Sequence, residues 1–124
     1  MSSFKIYNTL DYPISIETTK AGCVGVHNGV VTVCCYYDNA PAGYNINFSG
    51  GCCKEGAAYG VHVQLLKPGG TIRYKAVGKA SCPGSGTNEY HLELDGDKLS
   101  LITGVSDTMD ASGESVTAIT CTEK

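Results

Sequence analysis

The sequence predicts an all-β protein: an antiparallel β-sandwich of about eight to ten short strands, disulfide-stabilised, with little or no helix. Three observations carry that expectation. No window shows a sustained 3.6-residue apolar period, and Gly or Pro interrupts nearly every stretch of helical length. Alternation with period two, rich in β-branched and aromatic residues, recurs along the whole chain. Seven Cys fall in 124 residues without a CxxC or Cys/His pairs at zinc spacing, which reads as a disulfide framework.

Strands are expected near Phe4–Asn8, Pro13–Thr18, Cys23–His27, Val30–Tyr37 and Tyr44–Phe48, and then near Ala58–Leu66, Thr71–Val77, Glu89–Leu94, Lys98–Thr103 and Ser115–Cys121. No repeat or linker divides them, so residues 1–124 are expected to form one sandwich domain. Turn chemistry proposes three hairpins. Asn28-Gly29 suits a type I′ turn, because both residues tolerate the positive φ it demands. That turn sets His27 opposite Val30, Val26 opposite Val31 and Cys23 opposite Cys34. Lys67-Pro68-Gly69-Gly70 suits a type II turn. Around Asp95-Gly96-Asp97, Tyr90, Leu92, Leu94, Leu99 and Leu101 share an apolar face, while Glu89, His91, Glu93, Lys98 and Ser100 share the polar one.

The Cys doublets sharpen the framework. Within a strand, Cys34 and Cys35 point to opposite faces and need different partners. Cys52 and Cys53 follow the Gly-rich stretch Ser49-Gly50-Gly51, where a bend offers both sulfurs to different strands. The expected bridges are Cys23–Cys34, Cys35 with Cys52 or Cys53, and Cys82–Cys121. An odd count leaves a monomer one free thiol. The expected compartment is extracellular, with a monomer or weak dimer. Met1–Lys5 runs straight into a strand-like pattern without an apolar leader, so export would use a replaced signal or another route. Asn47-Phe48-Ser49 is a sequon that hints at a secreted loop.

Charge excludes some functions. Net charge is −3 and pI about 5.5, which argues against a nucleic-acid partner. Apolar runs such as Val30–Val33 are far too short for a membrane span. Between Lys54 and Lys79 five bases (Lys54, Lys67, Arg73, Lys75, Lys79) outnumber the single acid Glu55, whereas Glu89–Lys124 carries eight acids against two bases. Arg73 and Lys75 share a strand face, with Lys67 at the hairpin end, so a basic ribbon beside Tyr74 is the expected contact surface. Its candidate residues are Lys67, Arg73, Tyr74, Lys75 and Lys79. The alternative is that basic and acidic lobes neutralise one another.

Catalytic signals are weak. His27 abuts the Asn-Gly turn and is expected to face solvent. His62 and His91 fall on polar strand faces, and no G-x-S-x-G elbow or completed deaminase pattern occurs. His91, Glu93, Asp95 and Asp97 invite a metal or acid–base reading, but distant ligands are missing. No cofactor, metal or catalytic residue is therefore expected. Small secreted fungal ribonucleases of the guanyl-specific type are similar in composition, and His62, His91, Glu89 and Arg73 would be the counterparts of their catalytic set. Eight Tyr without Trp suit a protein- or sugar-binding surface, with some of Tyr36, Tyr37 and Tyr90 in the core.

The opening Phe4-Lys5-Ile6-Tyr7-Asn8, followed by Tyr12, Ile14 and Ile16, resembles the first hairpin of thaumatin-like proteins and similar β-sandwiches. The resemblance implies a sandwich that acts through surface contacts, as in taste-receptor binding and fungal or plant defence. The expected function is recognition of a protein receptor or surface glycan without catalysis. A sweet-tasting or taste-modifying protein, a host-defence protein or lectin, and a ribonuclease are the alternatives. Compact acidic composition and Tyr richness fit a small fungal secreted protein.

Overall fold

The computed structural model describes residues 2–66, 72–95, 98–103, 113–115 and 119–120. Those residues form two sheets and no α-helix, the all-β architecture that the alternation demands. The strands are β1 (Ser2–Tyr7), β2 (Ile14–Thr19), β3 (Gly25–His27), β4 (Val30–Ala40), β5 (Asn45–Ser49), β6 (Ala58–Leu66), β7 (Ile72–Ser81), β8 (Gly86–Asp95), β9 (Lys98–Thr103), β10 (Gly113–Ser115) and β11 (Ile119–Thr120). A single 3₁₀ turn, Gly50–Cys52, follows β5. One sheet runs β5-β1-β8-β9; the other runs β10-β7-β6-β2-β4-β3, with β11 also on β7.

Each sheet turns one face inward. Phe4, Ile6, Ile46, Phe48, Tyr90 and Leu92 from the first meet Ile14, Ile16, Tyr59, Val61, Val63, Leu65 and Ala80 from the second in one buried cluster. Phe4 stacks on Phe48 at 4.9 Å and meets Tyr90 edge-on at 6.1 Å. Offset and edge-on geometries place the positive ring edge near a negative ring face.

Two expectations about the first strands change. β1 and β2 do not form a hairpin: β1 pairs with β5 and β8, whereas β2 pairs with β4 and β6 in the other sheet. The buried Asn8 holds this crossing. Its Nδ2 donates to the carbonyls of Tyr12, Ala40 and Pro41, and its Oδ1 accepts from the Leu10 amide. The sandwich is also not wholly antiparallel, because β1 and β8 pair in parallel. Parallel neighbours need a long connection, and here the intervening chain supplies β2–β7.

The β8–β9 hairpin pairs Leu92 with Leu101, Leu94 with Leu99 and Asp95 with Lys98, with its turn residues outside the described set. β6 and β7 pair as far as Leu66 and Arg73, a wider closure than a four-residue turn at Lys67–Gly70. That turn lies outside the described residues.

Three disulfides form among the described residues. Cys23 bonds Cys34, and Cys35 bonds Cys52. The expected Cys82–Cys121 bridge is corrected: Cys82 bonds Cys53, with both residues buried. The 3₁₀ turn explains it. That turn places Cys53 beside the chain leaving β7, where the Cys82 amide donates to Ala57 O at 2.8 Å and the Gly56 amide to Cys82 O at 3.0 Å. Cys121 lies outside the described residues.

Candidate functional site

The chain's most concentrated chemistry lies on the outer face of the larger sheet, under the β3–β4 hairpin. The turn is the one Asn28-Gly29 specifies, with φ of 50° and 79° and His27 opposite Val30. Beyond it β4 departs from a regular ladder three times, once near Asp38 and Asn39, where Ile14 pairs with Ala40 but Ile16 with Tyr37, and twice closer to the turn. Thr32, at φ 58°, is an extra residue against β3, because Val26 pairs with Val31 but Gly25 with Val33. Cys34 is an extra residue against β2, because Thr18 pairs with Cys35 but Thr19 with Val33. Bulges bend and twist a strand. Two within three residues fold the hairpin back over its own sheet, and the Cys23–Cys34 bridge closes its open end.

The tip then meets the sheet. Asn28 Nδ2 donates to Glu17 Oε2 at 2.9 Å and lies 3.3 Å from Asp38 Oδ1. Gln64 Nε2 donates to the Asn28 carbonyl at 3.2 Å. His27 Nε2 sits 2.7 Å from Asp38 Oδ1, and its ring stacks on Tyr36 at 3.6 Å. His27 is thus corrected from a solvent-facing turn residue to a half-buried anchor.

Glu17 explains the site's electrostatics. Alternation with Ile16 and Thr18 puts it on the polar face of β2, opposite Tyr36 and His62. There the folded-back tip covers it, leaving 0 % of the residue exposed. Among the described residues its Oε1 has no hydrogen-bond partner. Burial raises its carboxyl above the ordinary range, because the charged form loses water; the Asn28 hydrogen bond and the His27 charge oppose that rise. Asp38 moves the other way, held below the usual range chiefly by the His27 hydrogen bond. His62, next along the sheet, is lowered by burial and then by the Lys75 charge.

One oxygen of Glu17, one ring nitrogen of His27 and one oxygen of Asp38 all lie within 4.8 Å of one another. Among the described residues, this is the group of three or more metal-capable side chains. His91 and Glu93 instead share the outer face of β8, beside a groove of about 590 Å³ that Asp11 and Tyr12 also line. His91 stacks on Tyr7 at 4.7 Å. The side chain of Asp95 and all of Asp97 fall outside the described set.

Only part of the predicted basic ribbon falls within the described residues. Lys75 pairs with Gln64 and Lys79 with Gly60, which puts both on the sheet's outer face, and the Lys75 charge acts on Glu17 and His62. In backbone register Arg73 pairs with Leu66 and Tyr74 with the core residue Leu65. The Arg73 and Tyr74 side chains and all of Lys67 lie outside the described residues. The ribonuclease-like set is not brought together. His62 is on the outer face of one sheet, Glu89 and His91 on that of the other.

The hairpin's opposite side carries the other notable feature. Val24, Val26 and Val31 are 92 %, 68 % and 63 % exposed, and Val26 pairs directly with Val31. Tyr36, Tyr37 and Tyr44 complete the exposed large hydrophobics among the described residues. Tyr90 is fully buried, so of the three strand tyrosines it alone is core. Sequence reading put the contact on charge and missed this apolar face. The signal was present in Cys23–Val33, where alternate valines flank an Asn-Gly turn with no polar residue to cover them.

The chain matches no known protein family, curated protein or solved structure. No helix among the described residues is long and apolar enough to cross a membrane.

Proposed function

We propose that the protein is a non-catalytic recognition module that binds a protein partner through the apolar face of the β3–β4 hairpin. One observation carries the reading: a disulfide-closed hairpin turns its polar tip inward and presents Val24, Val26 and Val31 to solvent. Contiguous apolar surface of this kind is costly to leave in water, and it marks interaction sites. Aliphatic β-branched side chains favour a protein over a glycan, since sugars stack on aromatic faces. Pinning by Cys23–Cys34 and by Asn28 lowers the ordering cost on association. β3 is also the edge of its sheet, open to an added strand. Three disulfides are compatible with an extracellular setting, where such a partner would be a receptor ectodomain.

The test is saturable binding of labelled protein to a displayed panel of receptor ectodomains, taste receptors included, beside a glycan array. Val26→Asp with Val31→Asp abolishes binding, whereas charge reversal at Lys67, Arg73 and Lys75 leaves most of it. Turnover of RNA or a glycoside, or glycan binding that survives the valine changes, overturns the reading.

A further inference from the structure

We propose that Glu17, His27 and Asp38 form a binding site for one divalent transition-metal ion of the zinc class, which fastens the β3–β4 hairpin onto the sheet. The donor set is one imidazole nitrogen and two carboxylates, delivered by three different strands and already within 4.8 Å of one another. Nitrogen and carboxylate bonds to zinc are about 2.0–2.2 Å, so tetrahedral ligands sit roughly 3.4 Å apart. The Asp38 side chain is 41 % exposed, so it has room to adjust toward that spacing.

A second observation points to a ligand independently of that grouping. Glu17 is wholly excluded from solvent, yet its Oε1 has no partner among the described residues. A buried polar atom without a partner is uncommon, since it forfeits its water for nothing. Charge completes the argument. The Glu17 and Asp38 carboxylates converge on the same ring nitrogen of His27, and a divalent ion placed between them neutralises both. Lys75 contributes positive charge from β7, while the Asn28 amide reaches Glu17 from the hairpin and Gln64 of β6 donates to the Asn28 carbonyl.

Outer contacts are those a metal site needs. Asn28 Nδ2 reaches both carboxylates and orients them, and the Tyr36 ring holds the imidazole plane. A bound ion would tie β2, β3 and β4 at one point, beneath the apolar face and facing away from it. Metal binding is thus separable from partner recognition.

The experiment uses chelator-stripped protein with its thiols alkylated, because the odd Cys could bind zinc by itself. Titration with Zn²⁺ by calorimetry, and with Co²⁺ by visible absorption, is expected to give one site per chain and a raised Tm. His27→Gln, Asp38→Asn and Glu17→Gln each weaken binding at least tenfold and lose the Tm increase; His91→Gln does neither. Near-UV circular dichroism shows whether each variant is folded. If any is not, Zn²⁺-induced shifts of the imidazole nitrogens in the unaltered protein decide, with His27 shifting and His62 and His91 not bound. Absence of binding at millimolar Zn²⁺, unchanged affinity in folded His27→Gln and Asp38→Asn, or shifts centred on His91 overturn the proposal.

Discussion

Replacing Cys23 and Cys34 together by Ser removes the bridge that closes the β3–β4 hairpin. A cross-link stabilises chiefly by restricting the unfolded chain, and in the chain-entropy treatment the effect grows with the logarithm of the loop. The three bridges span 11, 17 and 29 residues. Those separations give about 2.8, 3.1 and 3.6 kcal/mol in that order. For a chain of 124 residues, the first corresponds to a Tm lower by about 10 °C. Loss of Cys53–Cys82 costs most for a second reason: both residues are buried in the core, so their replacement also leaves hydroxyls among apolar groups. Urea unfolding of the three double variants ranks them, and amide exchange at Val26 and His27 reports local release of the hairpin. The Cys23/Cys34 variant is expected to be the mildest globally, with the largest local gain in exchange. A greater global loss there than for Cys53/Cys82, or no change in exchange, would refute the reasoning.

Further outcomes follow from single contacts. Gly25→Ala would set a Cβ 2.7 Å from the Val33 carbonyl oxygen, so the hairpin must shift; a loss of about 1–3 kcal/mol in urea is expected. Phe4→Ala empties a fully buried site between Phe48, Tyr59 and Tyr90 and should cost about 3–5 kcal/mol. His62 has a folded pKa below its ordinary 6.5, so the unfolded chain takes up the proton first. Stability therefore rises with pH through the window below 6.5 and is full above it, and His62→Gln should flatten that slope in unfolding curves at pH 5 and 7.

The strands were legible because a half-buried strand writes period two into the sequence, as in Phe4-Lys5-Ile6 and Tyr90-His91-Leu92. Asn28-Gly29 was legible because few pairs accept two positive φ angles. Sheet membership was not. Whether β1 pairs with β2 or crosses to the other sheet depends on Asn8 and the packing behind it, which leave no local period. The Cys82 partner was lost for a related reason: a Gly-rich turn can aim a sulfur anywhere until its neighbours fix it. The Glu17–His27–Asp38 group was hidden by the bulges of β4. On an unbroken ladder, Glu17 shares its face with Ser15 and Thr19 and meets water. Only the bend at Thr32 and Cys34 puts the hairpin tip over it. The same bend inverts the expected amphipathicity, since the hairpin's polar tip becomes its inner side.

The proposed recognition surface is the outward valines of that hairpin. Both substituted positions are well exposed, so Val26→Asp with Val31→Asp should change folding stability by less than about 0.5 kcal/mol each. Competition measures the claim directly: unlabelled variant against labelled unaltered protein on the ectodomain that the panel identifies. A folded variant is expected to fail to displace the label at concentrations where the unaltered protein displaces it fully. Equal displacement by the two would contradict that expectation.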